Sequence, residues 1–269
     1  YFFPKIRIYN LPLLINEWKA FFEEHKEYKI LHSHVRSYAS IYIPIAKKYG
    51  LKTIIHSHST SNGKGMKSFV KAILQYPLRY EADYFMGCSK EAGKWLFGEK
   101  IVNDNKYYTV KNAIDTQQYL YNREVRNIYR KQLGFEEGET VFVHVGRLHE
   151  AKNHMFLLEV FAELQKNNPK AWLLLVGDGE LSLEIKNQTK KMHLVPKVKM
   201  LGSRKDVQNI LSAADAFLFP SKWEGLPVTV VEAQASGLPC FVSDKVTKEV
   251  GISELVQFLP IDKGAQAWE

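Results

Sequence analysis

Short apolar runs alternate along the chain with longer segments whose apolar positions recur every three to four residues. Runs of four to eight apolar or β-branched residues closed by Gly, Pro or Ser predict buried strands, and the 3.6-residue period predicts helices with one covered face. In the first half this places strands over 28–34, 52–58, 83–88 and 107–110. Helices fall between them over 38–48, 66–81 and 89–97. Tyr49-Gly50 ends the first, Pro77 is expected to kink the second, and Ser89 is placed to N-cap the third. Residues 113–139 are rich in charge and Asn and hold one helical stretch, 124–133. Strands are then predicted over 140–146, 171–176, 198–201, 216–219 and 240–242, again with helical segments between them.

Alternation of this kind belongs to parallel sheets covered by helices. It predicts an α/β protein of two Rossmann-like units: 1–118, a linker over 119–139, and 140–269. Two such units would face each other across a cleft, with ligands at the carboxyl ends of the strands. Both ends read as cut. The first unit opens without a glycine-rich strand-to-helix turn, and the last residues read as the start of a helix.

Composition changes this picture little. With 269 residues, 45% hydrophobic and 25% charged, the chain has ordinary globular make-up and enough length for two cores. No run of 18 or more apolar residues suggests a membrane-spanning helix. Cys88 and Cys240 are far apart in apolar surroundings, which suggests reduced thiols and a cytoplasmic setting rather than a disulfide framework. Charge adds more. Residues 1–118 hold 18 Lys and Arg against 10 Asp and Glu, so they carry the whole net charge of +8. A basic half suits anionic lipid headgroups, nucleic acid or an anionic substrate, although a scattered basic surface explains it nearly as well. Lys64, Lys67 and Lys71, with Phe69, Val70 and Ile73 between them, would make a basic amphipathic helix at an anionic membrane face. The alternative is a helix whose apolar side packs on the sheet.

The candidate chemistry centres on residues 216–239. An apolar run, Ala216–Phe219, is stopped by Pro220-Ser221; Trp223-Glu224-Gly225-Leu226-Pro227 forms a loop; and Gly237-Leu238-Pro239 ends the helix that follows. If the eight steps from Glu224 to Glu232 were helical, their carboxylates would lie roughly 12 Å apart on nearly one side. Carboxylates accept from vicinal sugar hydroxyls, and the helix start between them could face a diphosphate. The plainer alternative makes Glu224 a capping residue and Glu232 a solvated one.

Gly146-Arg147-Leu148-His149-Glu150-Ala151-Lys152 follows the first strand of the second unit. Arg147 offers a planar fork for phosphate oxygens and Lys152 a mobile point charge, unless both are simply surface cations in a polar loop. Gly177-Asp178-Gly179 reads as a tight turn, since a dinucleotide fingerprint needs a third glycine. His32-x-His34 and His56-x-His58 each point along one strand face and invite a four-histidine metal reading. No Cys, Asp or Glu lies near to complete a hydrolase site and no Asp-x-Asp motif occurs, so no metal is assigned and the histidines are read as hydrogen-bonding groups at strand ends.

The sequence Pro-Ser, Glu-Gly-Leu-Pro, Glu-Ala-Gln-Ala-Ser-Gly-Leu-Pro over 220–239 resembles the donor-site signature of family 4 glycosyltransferases, which are retaining GT-B enzymes. Ile55-His56-Ser57-His58, the stretch from Cys88 to Gly98 and Lys111-Asn112-Ala113-Ile114-Asp115 are similar to members acting in bacterial capsule and exopolysaccharide synthesis. The resemblance implies a nucleotide-sugar donor, guessed to be a UDP-sugar, and a lipid-linked or saccharide acceptor, with no further cofactor and no nucleic acid as partner. It implies that Arg147 and Lys152 stabilise the leaving diphosphate and that Glu224 and Glu232 orient sugar and ribose. In the same pattern Gly146, Gly225, Leu226 and Pro227 shape the donor site, Arg204 approaches the base and His34 approaches the transferred sugar. Three rivals stay open: a GT-B sugar-nucleotide epimerase, a zinc hydrolase on the four histidines, and a non-catalytic polyanion binder that uses only the basic half.

Overall fold

The structure, a computed structural model, describes residues 10–62 and 65–269, with the side chain of Lys67 left aside. Lys64 lies outside the described residues. The chain divides into two compact units, Tyr1–Lys111 and Asn112–Glu269.

In the first unit the elements run α1 (Leu11–Glu24), β1 (Ile30–Ser33), α2 (Ala39–Lys48), β2 (Lys52–Ser57), α3 (Met66–Gln75), α4 (Leu78–Glu81), β3 (Tyr84–Gly87), α5 (Lys90–Phe97), α6 (Glu99–Val102) and β4 (Tyr107–Thr109). The four strands form one parallel sheet in the order β1-β2-β3-β4. Pro77 separates α3 from α4, and Ser89 Oγ accepts from Ala92 N at the head of α5, both as the sequence predicts. Helix α1 was not predicted. It buries Leu14 and Phe22 and sets Trp18 at a tilt against Tyr42 of α2, with ring centroids 4.5 Å apart. Its aromatic density hid the helical period.

The apolar side of α3 does not pack on the sheet. Phe69, Val70 and Ile73 are exposed, at 63%, 45% and 57%, and Lys71 between them is exposed too.

In the second unit α7 (Arg123–Gln132) precedes β5 (Thr140–Val145), α8 (His154–Asn167), β6 (Ala171–Val176), α9 (Ser182–Lys191), β7 (Val198–Gly202), α10 (Val207–Ala213), β8 (Ala216–Phe219), α11 (Val228–Ala235), β9 (Cys240–Ser243) and β10 (Val256–Leu259). The parallel sheet has the order β10-β9-β8-β5-β6-β7, so the chain reverses its winding direction beside β5. That reversal opens a crevice at the carboxyl ends of β5 and β8, the usual ligand position in such sheets. Leu157, Leu158 and Phe161 of α8 pack with Leu173 and Leu175 of β6 in the core.

Residues 119–139, expected to be a linker, belong to the second unit. Arg126 and Arg130 of α7 clamp the two oxygens of Asp215 at 2.5 and 3.1 Å, and Asp215 also accepts from Val141 N at 2.7 Å. Two of the charges that made this stretch look like a solvated hinge, Arg126 and Arg130, are spent on that clamp, and the boundary falls between Lys111 and Asn112.

Candidate functional site

Two loops meet at the carboxyl ends of β5 and β8. The first runs from Gly146 through a 3-10 turn, Glu150–Lys152, to Asn153, whose left-handed backbone (φ 57°) redirects the chain into α8. The second runs from Pro220 to Pro227. Lys222 N donates to Ala151 O at 2.8 Å, which ties the two loops together.

Between them lies the central contact. Lys152 Nζ reaches Glu224 Oε1 at 2.7 Å, and both side chains are only 16% exposed. The ammonium also sits 4.6 Å from the Phe219 ring centre, a cation–π contact that helps hold a half-desolvated charge. Its alkyl stem passes close over Gly146, where a Cβ would lie 3.0 Å from Lys152 Cε and 3.2 Å from His144 Nε2. Gly146 therefore makes room for Lys152. Gly177 and Gly179 do the same for the loop backbone: a Cβ on them would sit 2.0 Å from Gly146 O and 2.4 Å from Leu148 O. The Gly-Asp-Gly turn is thus a packing device under the loop.

Gly225, Leu226 and Pro227 are buried, and Leu226 O accepts from Asn112 Nδ2 at 2.9 Å. Pro227 is the N-cap of α11, where its missing N–H is not needed. Because α11 starts at Val228, Glu224 lies in irregular backbone and the helical spacing expected from Glu224 to Glu232 does not apply. Glu232 is on the helix, half-buried, and accepts from Tyr119 OH at 3.0 Å. Burial raises its pKa despite that bond, while burial and then the Glu232 carboxylate push the Tyr119 phenol up to about 12.

The other predicted residues hold contacts of their own. Arg147 is 71% exposed and pairs with Glu180 at 3.1 Å. Arg204 is exposed and engages both oxygens of Asp206, at 2.8 and 2.6 Å, which with Tyr129 OH holds that carboxyl down at about 2. His34 belongs to the first unit. It follows β1, and its Nδ1 shares a hydrogen bond of 2.7 Å with His58 Nε2. Its neighbour His56 is buried and held near 4, by desolvation first and then by the surrounding histidines.

Four groups near the loops escaped the sequence reading. The Ser221 and Thr229 hydroxyls are buried without a hydrogen-bond partner among the described residues, one before Glu224 and one in the first turn of α11. His144 donates through Nδ1 to Leu218 O at 2.8 Å, while its Nε2 beside Gly146 and both nitrogens of His154, which packs edge-on against it, have no hydrogen-bond partner among the described residues. Only Ser221 had a visible signal, as the residue after the strand-stopping Pro220. A cavity of about 410 Å³ reaches Gly177 and Gly202 at the ends of β6 and β7, lined also by Asp178 and Lys186.

Chemically, the loops collect a half-buried cation, a carboxylate, the N–H groups of a helix start, and hydroxyls with unused hydrogen-bonding capacity. That is a site for a polar ligand bearing both negative charge and hydroxyls.

Comparison with known proteins bears on the family and the fold. Residues 125–256 match the family described as "Glycosyl transferases group 1". EpsF of Bacillus subtilis (strain 168), named as a glycosyltransferase, is 29% identical over 273 residues, covering 100% of this chain and 71% of EpsF. The Escherichia coli UDP-Gal:alpha-D-GlcNAc-diphosphoundecaprenol alpha-1,3-galactosyltransferase is 29% identical over 88% of this chain, which spans 62% of that enzyme. Among solved structures, Anabaena HepE in complex with UDP-glucose superposes with a TM-score of 0.76 at 17% identity, over 95% of this chain and 75% of HepE. That likeness supports the fold, two α/β units of the GT-B class. With the site standing at the strand ends of the second unit, residues 125–256 are a glycosyltransferase domain of the glycosyl transferases group 1 family.

Proposed function

We propose that this chain transfers a sugar from a nucleotide-sugar donor, taken as a UDP-sugar, to a lipid-linked saccharide in bacterial exopolysaccharide or capsule synthesis, with retention of configuration. The observation that carries the reading is the Lys152–Glu224 pair, 2.7 Å long, at the ends of β5 and β8 and just ahead of the first turn of α11. A UDP-linked donor and a diphosphoundecaprenol acceptor stand in the name of the E. coli relative, and the acceptor half of the proposal leans on that relative alone.

In this reading the ammonium of Lys152 and the N–H groups of α11 meet the diphosphate, while Glu224 exchanges part of its contact with Lys152 for sugar hydroxyls. Arg147 leaves Glu180 at little cost, since a pair standing in solvent is screened by water and contributes little. Glu232 and Tyr119 receive the ribose, and the cavity beside Gly177 and Gly202 takes the base, within reach of Arg204 or the Asp206 it holds. His34 of the first unit is assigned to the transferred sugar. Catalysis is electrostatic: fixed positive groups stabilise charge growing on the leaving diphosphate. No covalent nucleophile is assigned.

Calorimetric titration of the intact protein with UDP, GDP, ADP and CMP tests the donor site. UDP is expected to bind at least tenfold more tightly than CMP, and equal weak binding of all four would remove the reading. Proton NMR of the product anomer tests retention.

A further inference from the structure

The first unit holds a cluster that the transfer reading leaves largely unused. Strands β1 and β2 lie side by side in parallel register, with His32 opposite Ile54. Positions two apart share a strand face, so His32 and His34 come up beside His56 and His58. The rings are in contact: centroids are 4.3 Å apart for His32 and His34, 5.4 Å for His32 and His56, and 5.1 Å for His34 and His56. One ring nitrogen from each of His32, His34 and His56 lies within 4.8 Å of the others.

We propose that His32, His34 and His56 form a binding site for one borderline divalent transition-metal ion, zinc being the reference case, with His58 as the partner that orients His34.

Two observations point to a ligand rather than to ordinary packing. His56 is 4% exposed, yet neither of its ring nitrogens makes a hydrogen bond of good geometry among the described residues, the Val110 backbone being near the ring without completing one. A buried polar group without a partner is costly, and an ion bound there would remove that cost. Second, the three imidazoles converge without a carboxylate in the group. Imidazole nitrogen suits zinc, copper, nickel and cobalt, whereas magnesium and calcium take oxygen.

Size agrees as well. Zinc–nitrogen bonds of ~2.0–2.1 Å put tetrahedral ligand atoms about 3.4 Å apart, so the cluster must contract by roughly 1.5 Å at most. His32 and His34 are exposed and can rotate inward, while His56 is fixed in the sheet. The 2.7 Å bond to His58 engages Nδ1 of His34 and leaves Nε2 for the ion, the outer-partner arrangement common around zinc-bound histidines.

Binding at this site would withdraw His34 from any other task. If His34 serves the transferred sugar, excess Zn²⁺ slows transfer and a chelator restores it; this consequence rests on the proposed function, the binding itself does not.

The test uses the intact, tag-free chain, stripped with chelator and titrated with ZnCl₂ by calorimetry and with CoCl₂ by visible absorption at pH 7.5. One ion per chain and tetrahedral cobalt bands are expected. Binding should weaken at least tenfold in His32→Gln and in His56→Gln, while His25→Gln, outside the cluster, should match the wild type. Circular dichroism checks that the variants fold. NMR of the wild type keeps the test open if they do not: one equivalent of Zn²⁺ should move three or four histidine ring signals together. Saturable binding unaltered in both cluster variants, the absence of saturable binding, or zinc shifts confined to one ring would overturn the site.

Discussion

Lys152 and Arg147 look alike in the sequence, two cations five residues apart in one polar loop. They differ in the structure. Lys152 is threaded over Gly146 and half-buried on Phe219 and Glu224, whereas Arg147 stands in solvent beside Glu180. A charge-assisted hydrogen bond contributes about 1.5–3 kcal/mol, and more of it survives where water is excluded. Lys152→Ala is therefore expected to weaken UDP binding about ten- to a hundredfold, and Arg147→Ala by less. Calorimetry that ranks them the other way would move the diphosphate from the inner to the outer part of the loop. His154 supplies a second test at this scale. It is 1% exposed, and burial, with the Lys152 charge second, holds its pKa at about 4 against an ordinary 6.5. Such a histidine takes its proton first in the unfolded chain. Stability is then intact above about pH 6.5 and declines as pH falls from 6.5 toward 4, by roughly 3 kcal/mol in all. His144, fully buried and lowered further, acts in the same direction. Urea unfolding at several pH values should show a flatter acid limb in His154→Leu than in the wild type. Parallel limbs would mean that His154 is already solvated.

At the scale of elements, strand placement was legible because buried parallel strands are written as short apolar runs closed by Gly, Pro or Ser. Ala171–Val176 and Ala216–Phe219 appear as predicted. Helix α1 and strand β10 were missed: aromatic residues crowd the first, and Gln257 interrupts the apolar run of the second although Pro260 closes it. The loops were less legible still. That Lys222 N would meet Ala151 O depends on two segments about seventy residues apart in sequence arriving at neighbouring strand ends. Helix α3 carries its own prediction. Phe69, Val70 and Ile73 are exposed together with Lys71, and no other described element covers them. If the proposed lipid-linked acceptor is correct, an anionic bilayer is the occupant that follows from it. Burying Phe69 and Ile73 would add about 1.5–3 kcal/mol each at most, and a lysine near the surface about 1 kcal/mol. In flotation with phosphatidylglycerol vesicles, Phe69→Ser combined with Ile73→Ser should lose most binding, and Lys71→Glu should weaken it and flatten its loss with salt. Wild-type flotation by both variants would assign the contact elsewhere.

At the scale of the whole molecule, the cations that meet a diphosphate in the proposed reaction are Lys152, Arg147 and the helix start of α11, all supplied by the chain. Transfer by the full-length enzyme should therefore persist in EDTA. Activity abolished by EDTA and restored by magnesium or manganese would show that a metal neutralises the diphosphate instead. No helix among the described residues is long and apolar enough to cross a membrane, so contact with lipid would be peripheral through such elements as α3. The α/β class, the division into two units and the residue types of the loops after β5 and β8 were legible in the sequence alone. Strand runs, stop residues and a Glu-Gly-Leu-Pro helix entry are local properties, set by backbone geometry and hydrophobic period. Three things were decided only by tertiary structure: the Asp215 clamp that draws 119–139 into the second unit, the Lys152–Glu224 pairing, and the convergence of three histidines from neighbouring strands. Each depends on which distant segments become neighbours and on how far burial strips water from their charges, and no local pattern encodes either.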